Sequence, residues 1–182
     1  MKKSQGFTLI ELMITVAVLG IILAIAVPNM SKFIIKQQIQ SQTDELMLAL
    51  VYARTEALKA NSPVYIVPNG STAADWQANG WCVLKKGGTT CAAADANVLR
   101  VFESKKKIKT VTSYTASGSS KLGFTAQGAL VPSTISGSFK LYSTELPESE
   151  RNSTLRCIKV NPQGRAKVEK YLAGQCECVV VK

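Results

Sequence analysis

Residues 6–28 read GFTLIELMITVAVLGIILAIAVP, and the reading of this stretch decides the rest. Between Gly6 and Pro28 run 21 residues, Phe7 to Val27, whose single charge is Glu11. A helix of that length crosses a hydrocarbon core of ~30 Å, whereas the apolar region of a secretory signal is usually only ~7–15 residues. The segment therefore reads as a membrane span. Ahead of it, Met1-Lys2-Lys3-Ser4-Gln5-Gly6 is short and basic. The positive-inside rule then keeps the amino terminus in the cytoplasm and sends the following chain across the membrane. A carboxylate within such a span is unfavourable alone, so Glu11 is expected to have a partner.

Gly6-Phe7-Thr8-Leu9-Ile10-Glu11-Leu12, with Lys2 and Lys3 before it and Pro28 after the apolar run, resembles the class III leader of type IV pilins and type II secretion pseudopilins. The resemblance implies that residues 1–6 are a leader cut after Gly6 by a prepilin peptidase, and that the new terminal Phe7 is N-methylated. Residues 7–28 would first anchor the chain in the inner membrane and later pack in a filament core. Glu11, fifth in the processed chain, would neutralise the terminal amine of a neighbouring subunit. The physics agrees, because an ammonium and a carboxylate desolvated together stabilise each other and either alone is costly.

The helical pattern continues past the span. Pro28 is expected to kink it. From Met30 to Lys59 there is no Gly or Pro, and Ile39, Thr43, Leu46, Leu50, Ala53 and Ala57 recur at spacings of three and four. Residues 29–62 are thus an amphipathic helix, half of which covers a core, and Asn61-Ser62-Pro63 ends it. Residues 63–182 change to short β-rich runs parted by turn residues. Strands are expected at Val64–Val67, Trp81–Lys85, Val98–Glu103, Ile108–Thr115, Lys121–Thr125, Phe139–Ser143, Leu155–Val160, Arg165–Tyr171 and Cys178–Val181. No second helical pattern is seen, and Glu145-Leu146-Pro147-Glu148-Ser149-Glu150 reads as a solvated loop. The fold class is α+β: one long helix, apolar in its first half and one-sided in its second, packed against a β-rich head. The leader's resemblance implies the type IV pilin fold.

Five cysteines, Cys82, Cys91, Cys157, Cys176 and Cys178, lie in the part of the chain sent out of the cytoplasm, where disulfides are the default. Cys82 and Cys91 bracket a short stretch with a central Gly87-Gly88 turn. Cys157 would pair with Cys176 or with Cys178, since residues two apart on a strand face the same way. One thiol is left over. No metal is expected, because there is no histidine and the spacings do not give two close Cys pairs. Without histidine there is also no Ser-His or Cys-His nucleophile, and neither GxGxxG nor GxxxxGK[ST] occurs. The chain reads as non-catalytic and without a cofactor.

The formal charge is +10, from 22 Lys and Arg against 12 Asp and Glu, which favours anionic partners such as nucleic acid, acidic lipid or polysaccharide. Lys105-Lys106-Lys107-Ile108-Lys109 reads as a solvated turn. Half of the net charge lies between Arg151 and Lys182, where seven cations face Glu169 and Glu177. Within that tail, Arg156-Cys157-Ile158-Lys159-Val160-Asn161-Pro162-Gln163-Gly164-Arg165-Ala166-Lys167 resembles the C-terminal signature of the GspH/FimT group of minor pilins and pseudopilins.

The resemblance implies a non-catalytic subunit that helps initiate pilus assembly in a tip complex and supports twitching motility. Its partners would be other minor pilins, the major pilin, the prepilin peptidase and an inner-membrane assembly platform. Some members of the group bind DNA for natural transformation through GRxR. Gly164, Arg165 and Lys167 give GRxK here, and lysine lacks the bidentate fork of arginine. Arg165 and Lys167, with Lys159 and Lys170, are the candidate DNA-binding residues, against the plainer reading of a hairpin turn with cations on its solvent face. A GspH-like role in type II secretion is the further alternative.

Overall fold

The computed structural model describes residues 7–70, 76, 79–85, 91–92, 95–112, 121–131 and 137–170. The chain forms two compact units, Met1–Ile35 and Lys36–Lys182.

In the first unit, helix α1 (Leu9–Ala60) begins, and the side chains from Leu9 to Val27 are all exposed. Its most apolar 18-residue window has a mean hydropathy of 2.7, long and apolar enough to cross a membrane. Pro28 lies inside α1 and does not interrupt it. Side-chain donors flank that position: Asn29 Nδ2 reaches the carbonyl of Ile25 and Ser31 Oγ that of Val27, each at 3.4 Å.

In the second unit, the rest of α1 is one-sided. Ile39, Thr43, Leu46, Leu50, Ala53 and Ala57, the positions picked out by helical spacing, are all at most 1% exposed. Gln42 is buried among them, and both ends of its amide are engaged: Nε2 donates to Ser104 Oγ at 3.0 Å and Oε1 accepts from Lys105 N at 2.8 Å. The end of α1 is a Schellman cap. Asn61 takes a left-handed φ of 46°, Ser62 N donates to Ala57 O and Asn61 N to Leu58 O.

Two antiparallel sheets follow. Sheet A has the order β3-β2-β1-β5-β6, with β1 Val64–Pro68, β2 Trp81–Lys85, β3 Val98–Phe102, β5 Leu122–Phe124 and β6 Leu130–Val131. Sheet B has the order β4-β7-β8-β9, with β4 Lys109–Thr112, β7 Gly137–Tyr142, β8 Arg156–Val160 and β9 Ala166–Lys170. The central strands of sheet A are buried on both faces, which is why β1 and β2 read as continuous apolar runs. One face carries Val67, Cys82 and Leu84, closed over by Tyr65, Cys91 and Val98. The other carries Trp81, which opens an aromatic series. Trp81 lies 6.3 Å from Phe102 and 6.3 Å from Trp76, and Trp76 lies 5.0 Å from Phe139 of β7, so the series links the two sheets.

Eight of the nine expected strands match these elements; the ninth, Cys178–Val181, the end of the fourth, Ser113–Thr115, and the last residue of the eighth, Tyr171, lie outside the described residues. One expectation is corrected. Instead of a solvated loop throughout, Glu148 opens a second helix, α2 (Glu148–Thr154), with Pro147 at its N-cap. Glu148 and Glu150 in its first turn suit the positive end of the helix dipole. The helix buries no residue, so no apolar period announces it. Two-residue β6 is likewise too short to give a pattern.

Candidate functional site

The first candidate is the start of α1. Thr8 precedes the helix and Glu11 is its third residue, and the two form a capping box. Thr8 N and Thr8 Oγ1 both donate to Glu11 Oε2 at 2.8 Å, and Glu11 N donates back to Thr8 Oγ1 at 3.3 Å. Glu11 thus has a partner within its own chain. The partner is the neutral residue Thr8 and not a charged group, and its signal in the sequence is the Thr-x-x-Glu spacing ahead of an apolar run. Phe7 is exposed beside it, whereas Gly6 lies outside the described residues.

The second candidate is the β8–β9 hairpin. Its strands pair from Arg156↔Lys170 to Val160↔Ala166, leaving Asn161–Arg165 as the loop. Asn161 organises that loop: its Oδ1 accepts from Arg165 N at 2.8 Å, its carbonyl accepts from Gly164 N at 2.8 Å, and its N donates to Arg165 O at 3.0 Å. Gly164 is buried, with φ 75°. The plainer reading of Pro162-Gln163-Gly164 as a turn therefore describes the geometry, with Arg165 and Lys167 exposed on it. No ion pair engages the Arg165 guanidinium among the described residues.

Lys159 and Lys167 face each other across the strands and share one carboxylate. Glu169 lies 2.9 Å from Lys159 Nζ and 3.5 Å from Lys167 Nζ. The hydrogen bond from Lys159, helped by the charges of both lysines, holds the Glu169 carboxyl below the usual glutamate range. The backbone of Lys170 closes the hairpin opposite Arg156. The other cation cluster is only partly solvated: Lys105 Nζ is 2.5 Å from Ser41 Oγ and 3.6 Å from Glu45, and Lys107 is 3.0 Å from Glu145.

Cys82 and Cys91 form a disulfide with Cα atoms 5.6 Å apart. Cys157 is also disulfide-bonded; Cys176 and Cys178 lie outside the described residues.

The family model described as type II transport protein GspH matches residues 42–164, and a prokaryotic N-terminal methylation motif matches residues 1–27. The chain belongs to the GspH family. Members of this pilin and pseudopilin family are structural, non-catalytic subunits, and the GspH-family chain is a minor pilin or pseudopilin of that kind. Its methylation motif and apolar helix fit a membrane-anchored pilin. Among curated proteins it is 36% identical over 83 residues to a probable minor fimbrial protein of Dichelobacter nodosus, covering 44% of this chain and 48% of the other. It is 48% identical over 52 residues to the type IV major pilin protein PilA of Myxococcus xanthus, covering 29% and 23%. The matches thus span less than half the length of these relatives. Two crystal forms of the type IV minor pilin FimU of Pseudomonas aeruginosa share the fold. One has a TM-score of 0.51 at 24% identity, covering 71% of this chain and 91% of FimU, and the other 0.52 at 23%, covering 73% and 89%.

Proposed function

We propose that this GspH-family chain is a type IV minor pilin that joins a tip complex and helps to initiate the pilus. The observation that supports the reading most is the apolar first half of α1, exposed from Leu9 to Val27 and carrying one carboxylate at its start. Such a surface is compatible with a bilayer before assembly and with a bundle of like helices afterwards. On this reading, prepilin peptidase cuts after Gly6, Phe7 is N-methylated, and Pro28 bends the anchor where it leaves the inner membrane. Glu11 meets the terminal amine of the next subunit, and the head contacts other minor pilins and the major pilin on the assembly platform. Deleting the gene should abolish or sharply reduce surface pili and twitching, and Glu11→Val should reproduce the loss while the protein remains in the membrane. Normal piliation with defective protein secretion would instead assign the chain to a type II secretion system.

A second reading, a DNA-binding subunit for uptake in transformation, is favoured by the exposed Arg165 at the hairpin end, with Lys159, Lys167 and Lys170 beside it in sequence. Full-length protein in nonionic detergent should then bind duplex DNA at low salt and release it as salt rises. Binding unchanged by Arg165→Gln with Lys167→Gln would refute the reading.

A further inference from the structure

Three stretches of the chain read Asn-x-Ser/Thr with no proline between, the pattern of an N-glycan acceptor: Asn29-Met30-Ser31, Asn69-Gly70-Ser71 and Asn152-Ser153-Thr154. Such a modification needs a side-chain amide that is free to react and room on the surface for a bulky, hydrated sugar. The three positions differ on both counts.

Asn29 lies inside continuous α1, two residues beyond the apolar run, and its Nδ2 donates to Ile25 O at 3.4 Å. Asn69 is exposed, but its Nδ2 donates to Asn79 O at 3.3 Å and its backbone N to Gly80 O at 2.9 Å, which hold it just past the end of β1. Asn152 is exposed in α2, and its amide makes no hydrogen bond among the described residues. Ser153 beside it is exposed as well, and α2 buries no residue, so a sugar there displaces no packing.

The obstacle at Asn152 is the helix itself. Thr154 Oγ1 donates to Glu150 O at 2.9 Å and lies 3.1 Å from Arg151 O, so the hydroxyl of the acceptor pattern serves the helix rather than Asn152. That end of the helix is weakly held. Helices shorter than ~12–15 residues are marginal alone, and α2 has 7. Its ties to the rest of the head, Lys36 to Glu150 at 3.0 Å and an Arg151 terminal nitrogen to Leu146 O at 3.2 Å, act ahead of Asn152. Beyond Thr154 the next fixed point is Leu155, which is buried. Asn152, Ser153 and Thr154 can therefore unwind as one short turn between two anchored residues while the core stays intact.

We infer that Asn152 is the acceptor of an N-linked glycan, added outside the cytoplasm by a membrane transferase from an oligosaccharide carried on polyprenyl pyrophosphate. Asn152 Nδ2 bonds to the anomeric carbon of the first sugar as the bond from that carbon to the pyrophosphate breaks. The pyrophosphate leaves with the electron pair, and one Nδ2 proton passes to a base of the transferase. The inference goes beyond the assignment to a pilus, since it needs only that the head is exported and holds equally for a secretion-system subunit. It also gives α2 a place in the assembled polymer: a surface that carries a hydrated sugar faces solvent and stays out of contacts between heads.

The test is the intact mass of full-length protein purified in detergent from the cells that make it, with mass spectrometry of the peptide that contains Asn152. A mass above that of the polypeptide, carried on Asn152, is expected. Asn152→Gln and Thr154→Val should each remove the added mass completely, Thr154→Ser should retain it, and Asn69→Gln should leave it unchanged. Valine keeps the shape of Thr154 and serine keeps its hydroxyl, so this pair separates recognition of the acceptor from a change in fold. An Asn152 peptide without sugar, a sugar on Ser153 or Asn69 instead, or full occupancy in Thr154→Val would overturn the inference.

Discussion

Gly164 rests against the carbonyl of Gly128, so closely that a β-carbon on Gly164 would collide with that oxygen. The contact joins two turns from different sheets, the β5–β6 turn of sheet A and the β8–β9 loop of sheet B. Leu130 N donates to Pro162 O at 2.9 Å beside it. The glycine of the basic hairpin is thus fixed by packing, whatever the hairpin binds.

Gly164→Ala should therefore destabilise the head by about 2–4 kcal/mol, combining a left-handed backbone with a backbone collision that no side-chain rotation relieves. Thermal unfolding of the full chain measures it, with exposed Gln163→Ala as the near-neutral control. An equal and small effect of both substitutions would contradict the packing.

Arg54 ties both turns to α1: its Nε donates to Gly128 O at 3.0 Å and one terminal nitrogen donates to Gln163 O at 3.2 Å. Arg54→Ala should cost about 1–2 kcal/mol, the low end for charged donors because the group is partly solvated. Arg54→Lys should recover little, since a single ammonium replaces a planar fork. Hydrogen exchange at Leu130 should quicken in both variants.

The Cys82–Cys91 bridge closes a loop of sequence separation 9 and should contribute about 2–3 kcal/mol. Unfolding of the Cys82→Ala, Cys91→Ala protein beside the wild type, without reductant, tests it. With five cysteines and Cys82, Cys91 and Cys157 all in disulfides, thiol titration of the denatured, unreduced wild type should find one free thiol, and Cys82→Ala alone should yield two.

The ion pair at Glu169 sets a pH dependence. Because its carboxyl titrates lower in the folded protein than in the unfolded chain, the pair's stabilisation is present above the ordinary glutamate range and is lost as pH falls through the lowered folded value. Glu169→Gln should flatten this part of the acid limb of an unfolding-against-pH curve and leave the curve's shape near neutrality unchanged. An identical acid limb in wild type and variant would show that the pair contributes nothing.

Much of the fold was legible because burial imposes a period. The six α1 positions from Ile39 to Ala57 could be named in advance since each returns to the same side of a helix, and β2 was bounded at Trp81 and Lys85 since its apolar run stops at a lysine. Where local chemistry rather than burial sets the structure, periodicity is silent. Helix α2 buries nothing, and Trp76 is linked to the sheets by contacts 5.0 Å and 6.3 Å long that no spacing encodes. The site shows the same division. Arg165 and Lys167 stood out as neighbours in a basic tail, but Lys159 and Lys167 come to share Glu169 only through strand register, which one sequence does not display. Thr8 was hidden differently: its partner Glu11 invites a search for a distant charge, while the capping box three residues away is neutral.

That capping box changes what an encounter between two subunits would involve. Glu11 Oε2 already accepts from both donors of Thr8, so on the assembly reading an arriving amine does not rescue a stranded charge. It finds the other oxygen, Oε1, on a carboxylate that its own chain already holds in place. A group fixed in advance loses little freedom when the contact forms, so the first turn of the helix would make each subunit ready for the next before they meet.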